Sequence, residues 1–68
     1  MSGYGNLDID EVNVLRMIDQ GYQREAIMER LGITERRYYQ LCGFARDKMG
    51  DASSTSEAIQ RAKDDGQF

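Results

Sequence analysis

Histidine, proline and tryptophan are missing from this 68-residue chain, and Cys42 is its only cysteine. Without histidine there is no imidazole to act as a general base and no Cys/His ligand set for zinc, and a single thiol cannot form an internal disulfide. These absences argue against a triad or metal-dependent enzyme, and no catalytic residue, metal or cofactor is expected. No apolar run approaches the ~20 residues needed to cross a bilayer. A secreted domain this small would ordinarily carry paired cysteines, so the lone thiol suits a reducing cytoplasm. Residues 1–6, Met-Ser-Gly-Tyr-Gly-Asn, lack the basic and apolar regions of a signal peptide and are expected to form a flexible N-terminal arm. The remainder, 7–68, is long enough for one small domain.

Nine Lys and Arg stand against twelve Asp and Glu, for a net charge of −3. The distribution is uneven. Residues 1–21 hold Arg16 against Asp8, Asp10, Glu11 and Asp19, and residues 51–68 also have an acidic excess. Residues 22–50 hold six bases against four acids, so positive charge gathers in the middle of the chain.

Hydrophobic spacing predicts four helices, at about 8–20, 23–31, 34–49 and 55–65. In the first, Val12, Leu15 and Ile18 recur at helical intervals behind an Asp8/Glu11 capping box, and Gly21 follows its end. The second carries Ile27 and Leu31 four residues apart and closes at Gly32. Thr34 caps the third, whose stripe is Tyr38, Leu41, Ala45 and Met49, with Gly50 behind it. Ser54 and Glu57 repeat the capping-box spacing ahead of Ala58, Ile59 and Ala62 in the fourth. With no alternating run long enough for a strand, the fold class is all-α.

Helix two, a turn at Gly32-Ile33-Thr34, and a longer helix three opening with Arg36-Arg37 have the grammar of a helix-turn-helix. A helix N-terminus carries positive dipole and free N–H groups, which suits phosphate. The same spacing also fits a plain αα corner with no ligand, so spacing alone leaves the function open.

Leu15, Gly21, Ile27, the run Glu29-Arg30-Leu31-Gly32-Ile33-Thr34-Glu35-Arg36, Lys48, Gly50 and Glu57-Ala58-Ile59 together resemble the LuxR/GerE-type helix-turn-helix domain over some sixty residues. The resemblance implies a four-helix domain of a small stand-alone bacterial transcription regulator, similar to GerE. In that family the third helix enters the major groove of duplex DNA and the fourth commonly makes a homodimer. Carried onto this chain, the DNA-binding residues are Thr34, Arg36, Arg37, Tyr39 and Gln40, and the dimer interface is Ala58, Ile59 and Ala62.

Departures from the family pattern fall on the groove face. Arg37 replaces a threonine, Tyr39 a basic or polar residue and Leu41 a histidine, while Gly43-Phe44 replaces polar groove-facing residues. Met28 stands where alanine is usual, and the Ser53–Ser56 linker is one residue longer. Gln40 keeps an amide able to pair with adenine. Adjacent helical positions lie about 100° apart, so Tyr38 is expected inside and Tyr39 outside. The alternative reading is a helix-turn-helix-derived protein-interaction module, an anti-activator in which Tyr39, Leu41 and Phe44 bind another regulator or the transcription machinery. Cys42 is expected to be a small buried apolar residue.

Overall fold

A computed structural model describes residues 4–68; the part of the expected arm at 1–3 lies outside the described residues. The four helices are α1 (Ile9–Asp19), α2 (Arg24–Leu31), α3 (Glu35–Lys48) and α4 (Thr55–Asp64). No strand occurs among the described residues, so the fold is all-α. Every boundary falls within a residue of its expected place, and at the starts of α1, α3 and α4 the expected caps form, while Gln23 makes no side-chain cap at the start of α2. The Glu11 carboxylate accepts from the Asp8 N–H at 2.7 Å. Thr34 Oγ1 accepts from the Arg37 N–H at 3.1 Å, and Ser54 Oγ accepts from that of Glu57 at the same distance. Each such cap is worth about 1 kcal/mol.

At the turn between α2 and α3, Gly32 adopts φ 66° and ψ 37°, the left-handed conformation that lets the chain leave a helix while its N–H still meets the Glu29 carbonyl. At the far end of α3, Gly50 has φ 74°, and a Cβ there would lie 2.9 Å from the Tyr4 ring. A side chain at position 50 is therefore opposed by both backbone strain and lack of room.

Two apolar clusters lie on either side of the α1–α3 pair. Toward α2, Val14, Ile27, Leu41 and Cys42 are buried, with Tyr38, Ile33 and Met17 packed around them. Toward α4, Leu15, Ala45, Met49, Ala52, Ala58, Ile59 and Ala62 are buried, joined by Tyr4, Leu7 and Phe68. Ala58 and Ala62 have no side chain beyond Cβ, which lets α4 settle closely on α1 and α3.

Three expectations are corrected here. Ala58, Ile59 and Ala62 are 0%, 7% and 0% exposed, so this stripe seals the chain's own core and offers no surface for a dimer. Leu41, at 2% exposed, cannot belong to a protein-binding surface with Tyr39 and Phe44. It shares the inward stripe of Tyr38 and Ala45, about 180° from the outer face of α3. Lastly, the arm is not loose over residues 4–6. The Gly5 N–H donates to the Lys48 carbonyl at 2.9 Å, and the Gln67 amide donates to the Gly5 carbonyl at 2.9 Å while accepting from the Leu7 N–H at 2.8 Å. No helix among the described residues is long and apolar enough to cross a membrane.

Candidate nucleic-acid interface

A helix begins with N–H groups that have no carbonyl one turn back. In α3 the Tyr38 N–H already reaches the Thr34 carbonyl at 2.9 Å, and the Thr34 hydroxyl takes that of Arg37. The amides of Glu35 and Arg36 remain as the helix's open donors, at the end where its dipole is positive. Arg36 and Arg37 stand beside them, both exposed.

The two arginines differ. Arg36 has no carboxylate partner among the described residues. Arg37 Nη2 lies 3.5 Å from Asp10 Oδ2, a pair whose two side chains are largely open to water. An exposed pair of this kind is worth about 0–1 kcal/mol, so an external anion can displace Asp10 at little loss. Gln40 is exposed one turn beyond Arg36 on the same face, and Gly43 and Asp47 continue that line. Tyr39 and Phe44 flank it, 53% and 48% exposed.

Tyr39 is outside, as expected, but its phenol is held. Arg24 Nη1, from the start of α2, donates a short hydrogen bond to the Tyr39 hydroxyl, and the guanidinium carbon lies 5.8 Å from the ring centroid. Arg24 also reaches Glu25 at 3.1 Å and Glu35 at 3.5 Å. Bonding to Tyr39 first, and to Glu25 second, raises the Arg24 pKa above its ordinary value. The Tyr38 and Tyr39 rings meet edge to face at 5.4 Å. Tyr39 is therefore a strut between α2 and α3 as well as a surface residue. Sequence reasoning missed Arg24 because its partner lies fifteen residues away and no local pattern announces the pair.

Cys42 is buried, and that burial pushes its thiol pKa up, away from the reactive thiolate. No group of three or more Cys, His, Asp or Glu side chains among the described residues is placed to hold a metal. Ala26, Glu29 and Arg30 on α2 line a partly open concavity of about 490 Å³, beside which the Arg30 guanidinium stacks over Tyr22 at 4.7 Å.

The second polar cluster lies at the opposite end of α3. Glu11 is 1% exposed, and its carboxylate accepts from Lys48 Nζ at 2.7 Å. Arg61 donates to the Met49 and Gly50 carbonyls at 2.8 and 2.9 Å, and Arg46 to those of Ala52 and Ser53 at 3.2 and 3.1 Å. The two arginines meet carbonyls just beyond the end of α3, and with Lys48 they are engaged in holding the fold.

Compared with family models, curated proteins and solved structures, the chain matches none.

Proposed function

We propose that this protein binds duplex DNA through α3, as a helix-turn-helix domain of LuxR/GerE-like architecture acting in transcription regulation. The observation that carries the reading is Arg36. It stands exposed and, among the described residues, without a carboxylate partner in the first turn of α3, with Arg37 beside it and Gln40 one turn along the same face. In this reading Thr34, the open amides and the two arginines hold phosphate, and Gln40 meets a base edge, where a glutamine pairs with adenine N6 and N7.

Two neutralised phosphates give a log–log salt slope of about −1.8, or roughly a ten-fold loss of affinity between ~50 and ~200 mM salt. Fluorescence anisotropy with a mixed-sequence duplex tests this. Binding at ~50 mM salt that declines about ten-fold by ~200 mM, and is removed by Arg36→Ala with Arg37→Ala, supports the reading. No binding at ~50 mM salt rejects it.

A second reading draws on Tyr39 and Phe44, two exposed aromatic rings beside the acidic Asp47 on a helix face meant to meet an anion. In that reading the face binds another regulatory protein and blocks it. Tyr39→Ala or Phe44→Ala then abolishes capture of that protein, while the double arginine variant changes it less.

A further inference from the structure

The outer face of α3 is complementary to itself. Arg36, Gln40, Gly43 and Asp47 are spaced four, three and four residues apart, which is the seam spacing of two packed helices, and they cover about 16 Å of helix axis. Tyr39 and Phe44 lie about 70° to either side of that seam. If a second α3 is laid antiparallel about a two-fold axis midway between Leu41 and Cys42, position 36 meets position 47 of the partner and position 40 meets position 43.

Arg36 then faces Asp47 twice, once at each end. Neither side chain has an ion-pair partner within its own chain among the described residues. In the middle the long Gln40 faces Gly43, beside which an added Cβ would meet nothing within 4 Å. Gly43 costs the helix stability and relieves no strain there, since its φ is not positive, but it leaves room for a facing side chain. Each exposed ring comes near its symmetry mate on its own flank. Charge, size and apolar surface are thus matched by one operation, as an isologous interface requires.

The geometry points to a second copy of this chain as the occupant of the α3 face, in an antiparallel α3–α3 dimer. A single-helix interface is at the small end of specific contacts, so the dimer is weak and concentration-dependent. The dimer stands whether or not the domain binds DNA. If it does, duplex and second chain compete for one face, and self-association masks the reading helix.

Sedimentation velocity of the full chain, free of nucleic acid, from about 10 µM to about 1 mM tests it. A rise from monomer toward dimer mass is expected, with Arg36→Asp and Asp47→Arg each weakening association about ten-fold or more and the combined exchange restoring it to within about three-fold. Gly43→Gln should raise the melting temperature, because glutamine is the better helix former, while weakening association. Those opposite signs separate a lost interface from a lost fold. Monomer at every concentration, association unmoved by Gly43→Gln, or failure of the charge exchange to rescue variants whose circular dichroism is intact overturns the proposal. The mass is read without DNA, so the result is independent of whether duplex binding succeeds.

Discussion

On the α4 side of the molecule Arg46, Arg61 and Lys48 close the backbone or a buried acid, whereas on the α2 side cations meet exposed acids or water. Lys63 on α4 departs from this division, meeting the exposed acid Asp19. Arg46 and Arg61 donate to four carbonyls around the end of α3, and Lys48 neutralises a carboxylate that is almost wholly buried. Across α1, Arg24 and Arg37 pair with Glu25, Glu35 and Asp10 where water competes, and Arg36 has no ion-pair partner among the described residues. The apolar clusters follow the same division. Seven buried residues, with Tyr4, Leu7 and Phe68 packed over them, support the α4 side, against four on the α2 side. A net charge of −3 conceals this sorting. What matters for an anionic ligand is how many cations can exchange partners. Arg24, Arg30, Arg36 and Arg37 are such cations around α2 and the start of α3, while Arg16 on α1 and Lys63 on α4 stand apart from them.

The largest expected effect tests the α4 side. Lys48→Ala leaves Glu11 buried without its counter-charge; removing one partner of a fully buried pair costs about 3–5 kcal/mol, and because the Lys48 side chain is 33% exposed the loss here falls at the lower end, about 3 kcal/mol, measurable by urea unfolding. A loss under ~1 kcal/mol would show that the pair does not hold this half together. The same pair has a pH signature. Bonding to Glu11 raises the Lys48 pKa above its unfolded value, so its stabilisation is complete below the ordinary lysine range and is lost as pH rises through the folded value. Unfolding on the alkaline side, above about pH 10.4, should therefore be blunted in Lys48→Ala.

Next comes the α2 side. Ile27 is fully buried in the smaller cluster, and Ile27→Ala should cost about 2–4 kcal/mol. With fewer neighbours there, amide exchange should rise first in α2 while the amides of α4 stay protected. Equal loosening of both helices would mean that the two clusters unfold as one. Arg61→Ala is smaller, about 1–2 kcal/mol, from hydrogen bonds to two carbonyls and to Glu57.

The helices were legible because their signals are local. Asp8, Thr34 and Ser54 cap within three residues, and Gly21, Gly32 and Gly50 take positive φ at the expected ends. Tyr38 inside and Tyr39 outside followed from helical arithmetic alone, and so does Leu41 inside once Tyr38, Leu41 and Ala45 are treated as one stripe. The fate of Ala58, Ile59 and Ala62 was not legible, because an apolar stripe says that it will be covered and not by which chain. Long-range contacts were equally silent. Glu11 and Lys48 are 37 positions apart, and Gln67 bridges to Gly5 and Leu7 across some sixty. At the candidate interface the exposed arginines could be named from the sequence, but not the acids that would accompany them.

Asp10 provides the finest test of that last point, because its two expected effects oppose each other. Asp10→Asn removes an acid from the first turn of α1, where it favours the helix dipole, and breaks the exposed pair with Arg37. Both losses are small and of the same sign, so stability should fall by less than about 1 kcal/mol. Duplex affinity at low salt should rise by roughly two- to three-fold, since Arg37 no longer exchanges one anion for another and a negative charge has left the edge of the interface. A variant that folds slightly less well yet binds slightly better places Arg37 at the contact, because a general loss of structure lowers both. If affinity instead falls with stability, Asp10 holds Arg37 in its binding position, and the α2 side is preorganised by its ion pairs in the way the α4 side is.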